Sequence, residues 1–294
     1  MLYIPAVNNT RPTPISLPPN RGWIGGIHAL YLYGAFGLAS FGWAFCHKLG
    51  FNLGSTLLLW FAGAVLIYNI DRLKPDTADT INIPDRTARS GRLQRVSMGL
   101  MLASALVLLL IPIILGEWLL LFLIIAGAIL SLGYSVKIFG LRFKDVPVLK
   151  TFFVPTLISA AYLGVPLVNA QLHLSPRRLL LGLAWAWCIL FFNMLLFDLR
   201  DLEGDRAAGT VSLPVYLGRH ATERLLVLVG LTIPFLAILL AWPWQAIAST
   251  VYLSGLILAL RKPRPESFYE WWVEGLLFLP ALVEIMREFA NFLK

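Results

Sequence analysis

Apolar and polar positions fall along this chain in blocks. Runs of some twenty apolar residues lie at 24–46, 52–70, 96–115, 117–136, 148–168, 178–198, 222–242, 244–260 and 272–291, with polar segments between them. A helix rising about 1.5 Å per residue needs about 20 such residues to cross a hydrocarbon core of about 30 Å, so each run predicts one spanning helix. Two boundaries are set by length. Residues 96–136 would make a helix of about 60 Å, too long for one crossing, and Gly116-Glu117 marks the turn. Residues 225–260 would reach about 54 Å, and Trp242-Pro243-Trp244 breaks them with a proline between interfacial tryptophans. The pattern predicts an all-α, polytopic membrane protein with nine transmembrane helices. Residues 1–22, with five prolines and no apolar core before a cleavage site, read as a cytoplasmic arm rather than a signal peptide. Residues 23–294 read as one transmembrane domain.

Composition agrees with the pattern. Of 294 residues, 58% are hydrophobic and 14% charged, about half the charge of a soluble domain. The two cysteines, Cys46 and Cys188, form no CxxC motif and no disulfide framework. The net charge of +8 could suggest nucleic acid, but the cations sit in short loops between apolar runs, where they set topology. With the N-terminus in the cytoplasm, 19 of the 24 Lys and Arg fall on the cytoplasmic side. Lys48, Arg177, Arg178, Arg287 and Lys294 fall opposite, a split that fixes orientation under the positive-inside rule.

The same fold-over gathers the acids. Nine of the 16 Asp and Glu lie in two cytoplasmic segments, Asp71, Asp76, Asp79 and Asp85 after the second span, and Asp198, Asp201, Glu203, Asp205 and Glu223 after the sixth. At about 100° per residue, Asp198, Asp201 and Asp205 share one helical face about 60° wide. Three carboxylates on one face at a helix C-terminus repel one another and oppose the helix dipole unless a cation fills the site. Hard divalent cations such as Mg²⁺ suit that need, and acids at membrane depth are commonly functional. A solvated helix end paired with Arg200 and Arg206 is the bland alternative. Asn69, Asp71 and Asp76 could supply a facing carboxylate set, the two together suiting a polyanion such as diphosphate. His28, His47, His173 and His220 show no ligand spacing, and Glu274 fits the site or the interface equally. Asp79 and Asp85 read as loop charges balanced by Arg86 and Arg89.

Residues 198–218, DLRDLEGDRAAGTVSLPVYLG, closely resemble the second aspartate-rich motif of the UbiA prenyltransferase superfamily. The Tyr134-Ser135-x-Lys137 step and the placement of both acidic segments extend the resemblance. It implies a bundle around an intramembrane cavity, in which a prenyl diphosphate is ionised with Mg²⁺ and its prenyl group passed to a lipophilic, aromatic or quinone-precursor acceptor. By position, Asp71, Asp198 and Asp201 would be catalytic, and Asp71, Asp76, Asp198, Asp201 and Asp205 would hold metal. Asn69, Arg72, Lys137 and Lys144 would bind the diphosphate. The first motif departs from the family pattern. With Asn69 as the motif Asn, Leu73 and Thr77 stand at two Asp positions; with Asp71-Arg72 in register, Ile67 and Pro75 replace an Asn and an Asp. A terpene cyclase of the same family, or a non-catalytic binder or transporter that keeps the fold, are the alternatives. Partners are expected to be the prenyl diphosphate, the acceptor and membrane lipid, with no nucleic acid and no obligate protein. The expected location is a prokaryotic inner membrane.

Overall fold

The computed structural model describes residues 22–51, 56–72, 81–136, 142–169 and 175–293, all helical or in short connections. A helix occupies each of the nine apolar runs. In chain order they are α1 (Gly22–Ala29) with α2 (Leu32–Leu49), α3 (Thr56–Arg72), then after the polar helix α4 (Pro84–Arg92), α5 (Gln94–Leu115), α6 (Trp118–Ser135) and α7 (Leu149–Asn169). There follow α8 (Pro176–Arg200), two short helices α9 (Leu202–Ala208) and α10 (Leu213–Leu217), α11 (Arg219–Leu239), α12 (Pro243–Ala259) and the terminal α13 (Leu279–Phe292). Four of these, α5, α6, α8 and α11, are long and apolar enough to cross a membrane by length and composition alone.

Both boundaries set by length hold. Gly116 takes φ 71°, and the N–H of Glu117 returns to the carbonyl of Pro112, so the chain leaves α5 through a left-handed cap that glycine adopts without strain. At the second, α11 stops at Leu239, Ala241 turns at φ 59°, and Pro243 opens α12 in its first position, where its missing N–H costs nothing.

Two runs depart from plain helices. The first is broken at Tyr31, whose φ of 58° separates α1 from α2. Its ring stacks on Tyr68 at 3.8 Å, with the Arg86 guanidinium 5.7 Å from its centroid, so tertiary contacts override the local preference for helix. The last run enters through a π turn at Tyr269–Val273 and a 3₁₀ turn at Leu276–Phe278. Side chains from three other helices bond carbonyls there. Tyr33 reaches Trp271, Tyr252 reaches Trp272 at 2.8 Å, and Asn193 reaches Val273 at 2.6 Å.

Consecutive long helices pack side by side from α2 through α12, and α13 returns to α2, so the bundle closes into a ring. Its main core lies where α2, α8, α11, α12 and the last segment meet, around Phe41, Phe45, Trp185, Phe192, Ile233 and Leu253. The outward faces of α5 and α6 are apolar instead, with Leu102, Ile114, Trp118 and Phe122 exposed by 64%, 77%, 67% and 65%. In water this surface would drive aggregation; against lipid tails it is the required one.

Candidate active site

Helix α8 carries Asp198 in its last turn and ends at Arg200; Asp201 sits at the junction with φ −84° and ψ 3°, and α9 begins at Leu202. That junction reorganises the expected single face of three carboxylates. Asp198 and Asp205 turn toward Lys150, whose Nζ lies 3.3 Å from Asp198 Oδ1 and 3.0 and 2.8 Å from the two oxygens of Asp205. Asp201 is held instead by Arg200, in a two-pronged bond at 2.7 and 3.0 Å. The Arg200 guanidinium is in turn held over the rings of Phe197 and Tyr269.

Asp198 is wholly buried, which demands partners. Thr151 donates its hydroxyl to Oδ2 at 2.5 Å and accepts the Leu213 N–H at 3.1 Å. Lys150 and Thr151 reach this position because the chain enters α7 through Val148 at φ 66°, a left-handed conformation that a β-branched residue adopts only when its surroundings impose it. The imposing bond runs from the Val148 N–H to the Val211 carbonyl, 2.7 Å. On the opposite side Asn82 brackets the motif, donating to the Asp201 carbonyl at 3.2 Å and accepting the Gly204 N–H at 3.0 Å. Any side chain at position 204 would collide with the Asn82 amide, so glycine is what allows that approach.

The first acidic segment contributes Asp71, at the end of α3, with the Lys144 Nζ 3.6 Å from its Oδ1. Asn69 is buried and bonds elsewhere: its amide donates to the carbonyls of Leu30 and Val65, and its oxygen accepts from Ser97. Asp76, Asp79 and Lys137, together with the side chains of Arg72 and Asp85, lie outside the described residues.

Asn69, Asp71, Lys144, Lys150, Asp201 and Asp205 all line one cavity of about 400 Å³. Asp198 sits behind that lining. Arg86, Arg200, Asn193 and Glu274 line it too. Glu274 is buried on the π-turn segment and takes the Arg86 guanidinium at 3.3 Å. A second chamber of about 370 Å³, almost entirely apolar, adjoins the first and shares Leu38, Tyr68, Asp71, Tyr134, Val154 and Ile158 with it. Tyr134 stacks on Phe153 at this boundary. The arrangement joins a compartment lined by carboxylates and cations to an oily one.

Among the described residues, no three His, Cys, Asp or Glu side chains gather into a ready metal cage. Two carboxylates do converge on one cationic atom, Lys150 Nζ, and Mg²⁺ is commonly held by one or two carboxylates completed by substrate phosphates and water. The donor set therefore fits a hard divalent ion. Lys150 reads in the sequence as one loop cation of four, and Thr151 and Asn82 carry no motif at all; their adjacency to the aspartates is created by packing. His28 is buried against Tyr33 and Trp271 with its Nδ1 4.0 Å from Glu274 Oε2, His47 pairs with Glu288, and His173 lies outside the described residues.

Comparison with known proteins adds three findings. No curated protein matches the chain by sequence. A solved structure of a digeranylgeranylglyceryl phosphate synthase is similar in fold, with a TM-score of 0.50 at 17% identity, over 89% of this chain and 96% of that one. The model of the UbiA prenyltransferase family matches residues 68–272, a stretch running from the end of α3 through both acidic segments to the π turn. The chain therefore belongs to the UbiA prenyltransferase family.

Proposed function

We propose that this integral membrane protein is a prenyltransferase that ionises a prenyl diphosphate with Mg²⁺ and transfers the prenyl group to a lipophilic acceptor. The observation that carries the reading is the pair of joined chambers, one lined by carboxylates and cations and the other by hydrocarbon, with Asp71 and Tyr134 on their common wall. A prenyl diphosphate has the same division between a charged head and an oily chain. In this reading all nine helical columns cross the membrane, with the aspartate end facing the cytoplasm.

Asp198, Asp201 and Asp205, with Asp71 and Asp76 from the first segment, would hold Mg²⁺. When bound, the ion supplies positive charge that stabilises a departing diphosphate. The chain's own residues do the rest. Lys144, Lys150 and Arg200, joined by Arg72 and Lys137, bind diphosphate oxygens and balance their charge. Asn69, bonded to Leu30 and Ser97, fixes the Tyr31–Tyr68 wall rather than the substrate. The C–O bond to diphosphate breaks with both electrons leaving on oxygen. The prenyl cation so formed is sheltered from water by apolar walls and faced by aromatic rings. The acceptor supplies the electron pair for the new bond and releases a proton.

Diphosphate release by the purified protein tests the reading. Farnesyl and geranylgeranyl diphosphates are supplied with and without Mg²⁺, with and without a membrane lipid extract as acceptor, and beside Asp201→Asn. Release that needs Mg²⁺, the extract and Asp201 is the expected result. Release independent of the extract would replace transfer with cyclisation, and release unaffected by Asp201→Asn would remove the metal site from the reading.

A further inference from the structure

We propose that Lys150 is the resident counter-cation of the Asp198–Asp205 pair, so that a divalent ion loads this site by displacing the ammonium into the adjoining cavity, where diphosphate receives it. The inference rests on the prenyltransferase reading and concerns the order in which charges change places at that site.

Three carboxylate oxygens lie within 3.3 Å of Lys150 Nζ. Asp198 Oδ2 is taken by Thr151, while Oδ1 has no hydrogen-bond partner among the described residues and depends on the charge of Lys150 alone. Asp201, the third motif acid, is already balanced by Arg200. When ionised, the Asp198–Asp205 pair carries one more negative charge than Lys150 supplies. A monovalent group thus fills a position that a divalent ion would balance.

The place of Lys150 is built rather than incidental. It occupies the second residue of α7, two residues past the left-handed Val148 and beside the doubly bonded Thr151, so its backbone is anchored from both sides. The side chain beyond that anchor is a flexible four-carbon stem, and Lys150 also lines the cavity that holds Asp71 and Lys144. Its ammonium can leave the carboxylates for an anion in the cavity while its backbone stays in place. Two costs are then met together. Metal without diphosphate would strand the ammonium beside the metal, and diphosphate without metal would strip the carboxylates of their cation. The two ligands therefore load cooperatively.

Binding of Mn²⁺, a spectroscopic stand-in for Mg²⁺, is measured on the purified protein by electron paramagnetic resonance, with and without inorganic diphosphate. The wild type is expected to bind Mn²⁺ weakly alone and much more tightly with diphosphate. Lys150→Met is expected to bind Mn²⁺ alone about tenfold or more tightly than the wild type, because the competing charge is gone, and Lys150→Arg to resemble the wild type. On the wild type, Mg²⁺ alone at concentrations that saturate its weak site is expected to raise reductive methylation of Lys150, read by mass spectrometry, and added diphosphate to suppress it. Equal Mn²⁺ affinity in Lys150→Met and the wild type would overturn the displacement, as would methylation unmoved by Mg²⁺. The methylation arm decides the matter even if the Met variant does not fold. A wild type that takes no Mn²⁺ even with diphosphate would instead overturn the prenyltransferase reading itself.

Discussion

Thr151 joins two segments through a single hydroxyl, donating to Asp198 and accepting from the Leu213 backbone in a wholly buried setting. Valine matches threonine in shape but leaves Asp198 Oδ2 and the Leu213 N–H unpartnered, at a cost of about 1–3 kcal/mol for each. Thr151→Val is expected to lower the melting temperature of the detergent-solubilised protein, and Thr151→Ser to keep most of the wild-type value. Equal melting in the two variants would show that the hydroxyl does not hold the motif. At this scale legibility divides along the chain. Asp198, Asp201 and Asp205 were readable because their mutual spacing is local. Their partners were not, since Thr151 lies 47 positions from Asp198 and Asn82 lies 119 from Asp201. Nor could spacing anticipate that one helix ends and another begins at Asp201, with Asp198 and Asp205 paired to Lys150 from a distant helix.

Helix α4 is the polar element that ties the two ends of the chain together. Arg86 reaches Glu274 and the carbonyl of His28, and Arg89 reaches Glu270 at 3.0 Å. Arg86 and Glu274 are both nearly inaccessible to solvent, so removing one leaves a buried charge without its counterpart, at a cost of about 3–5 kcal/mol. Arg86→Met alone is expected to destabilise strongly, and the double variant Arg86→Met with Glu274→Leu to recover much of the loss. Thermal unfolding across the four-member cycle measures the coupling, and strict additivity would deny it. The apolar runs located the long helices well because hydropathy follows the apolar surroundings those helices require. They missed the π and 3₁₀ turns at Tyr269–Val273 and Leu276–Phe278 because those concern hydrogen-bond register, which apolarity does not encode. Glu274, equally at home at the site or the interface by sequence, lines the cavity.

The closed ring of helices leaves a polar and an oily chamber side by side, and the oily one owes its space to small residues. A side chain added at Gly127 would meet nothing within 4 Å, and Gly127 lines that chamber. Gly127→Phe is expected to fill it without unfolding the protein and to lower the kcat/KM ratio of geranylgeranyl to farnesyl diphosphate about tenfold or more. An unchanged ratio in a normally folded variant would place the prenyl chain elsewhere. The resemblance implied a bundle around an intramembrane cavity, whereas the closed ring and the division into two chambers were not legible, because a cavity's shape is what packing leaves over and no residue pattern spells it. The long reach from Arg86 to Glu274 also sets a clock. These partners are separated by 188 positions, and at about 5–20 residues per second the ribosome delivers the glutamate about 10–40 seconds after the arginine. Throughout that interval the half-made protein holds a cation with no Glu274 to receive it and an α2 surface with no α13 to cover it. A nascent chain stalled before residue 266 would carry both aspartate motifs and still lack the segment that closes the ring, which marks it out for membrane quality control as unfinished.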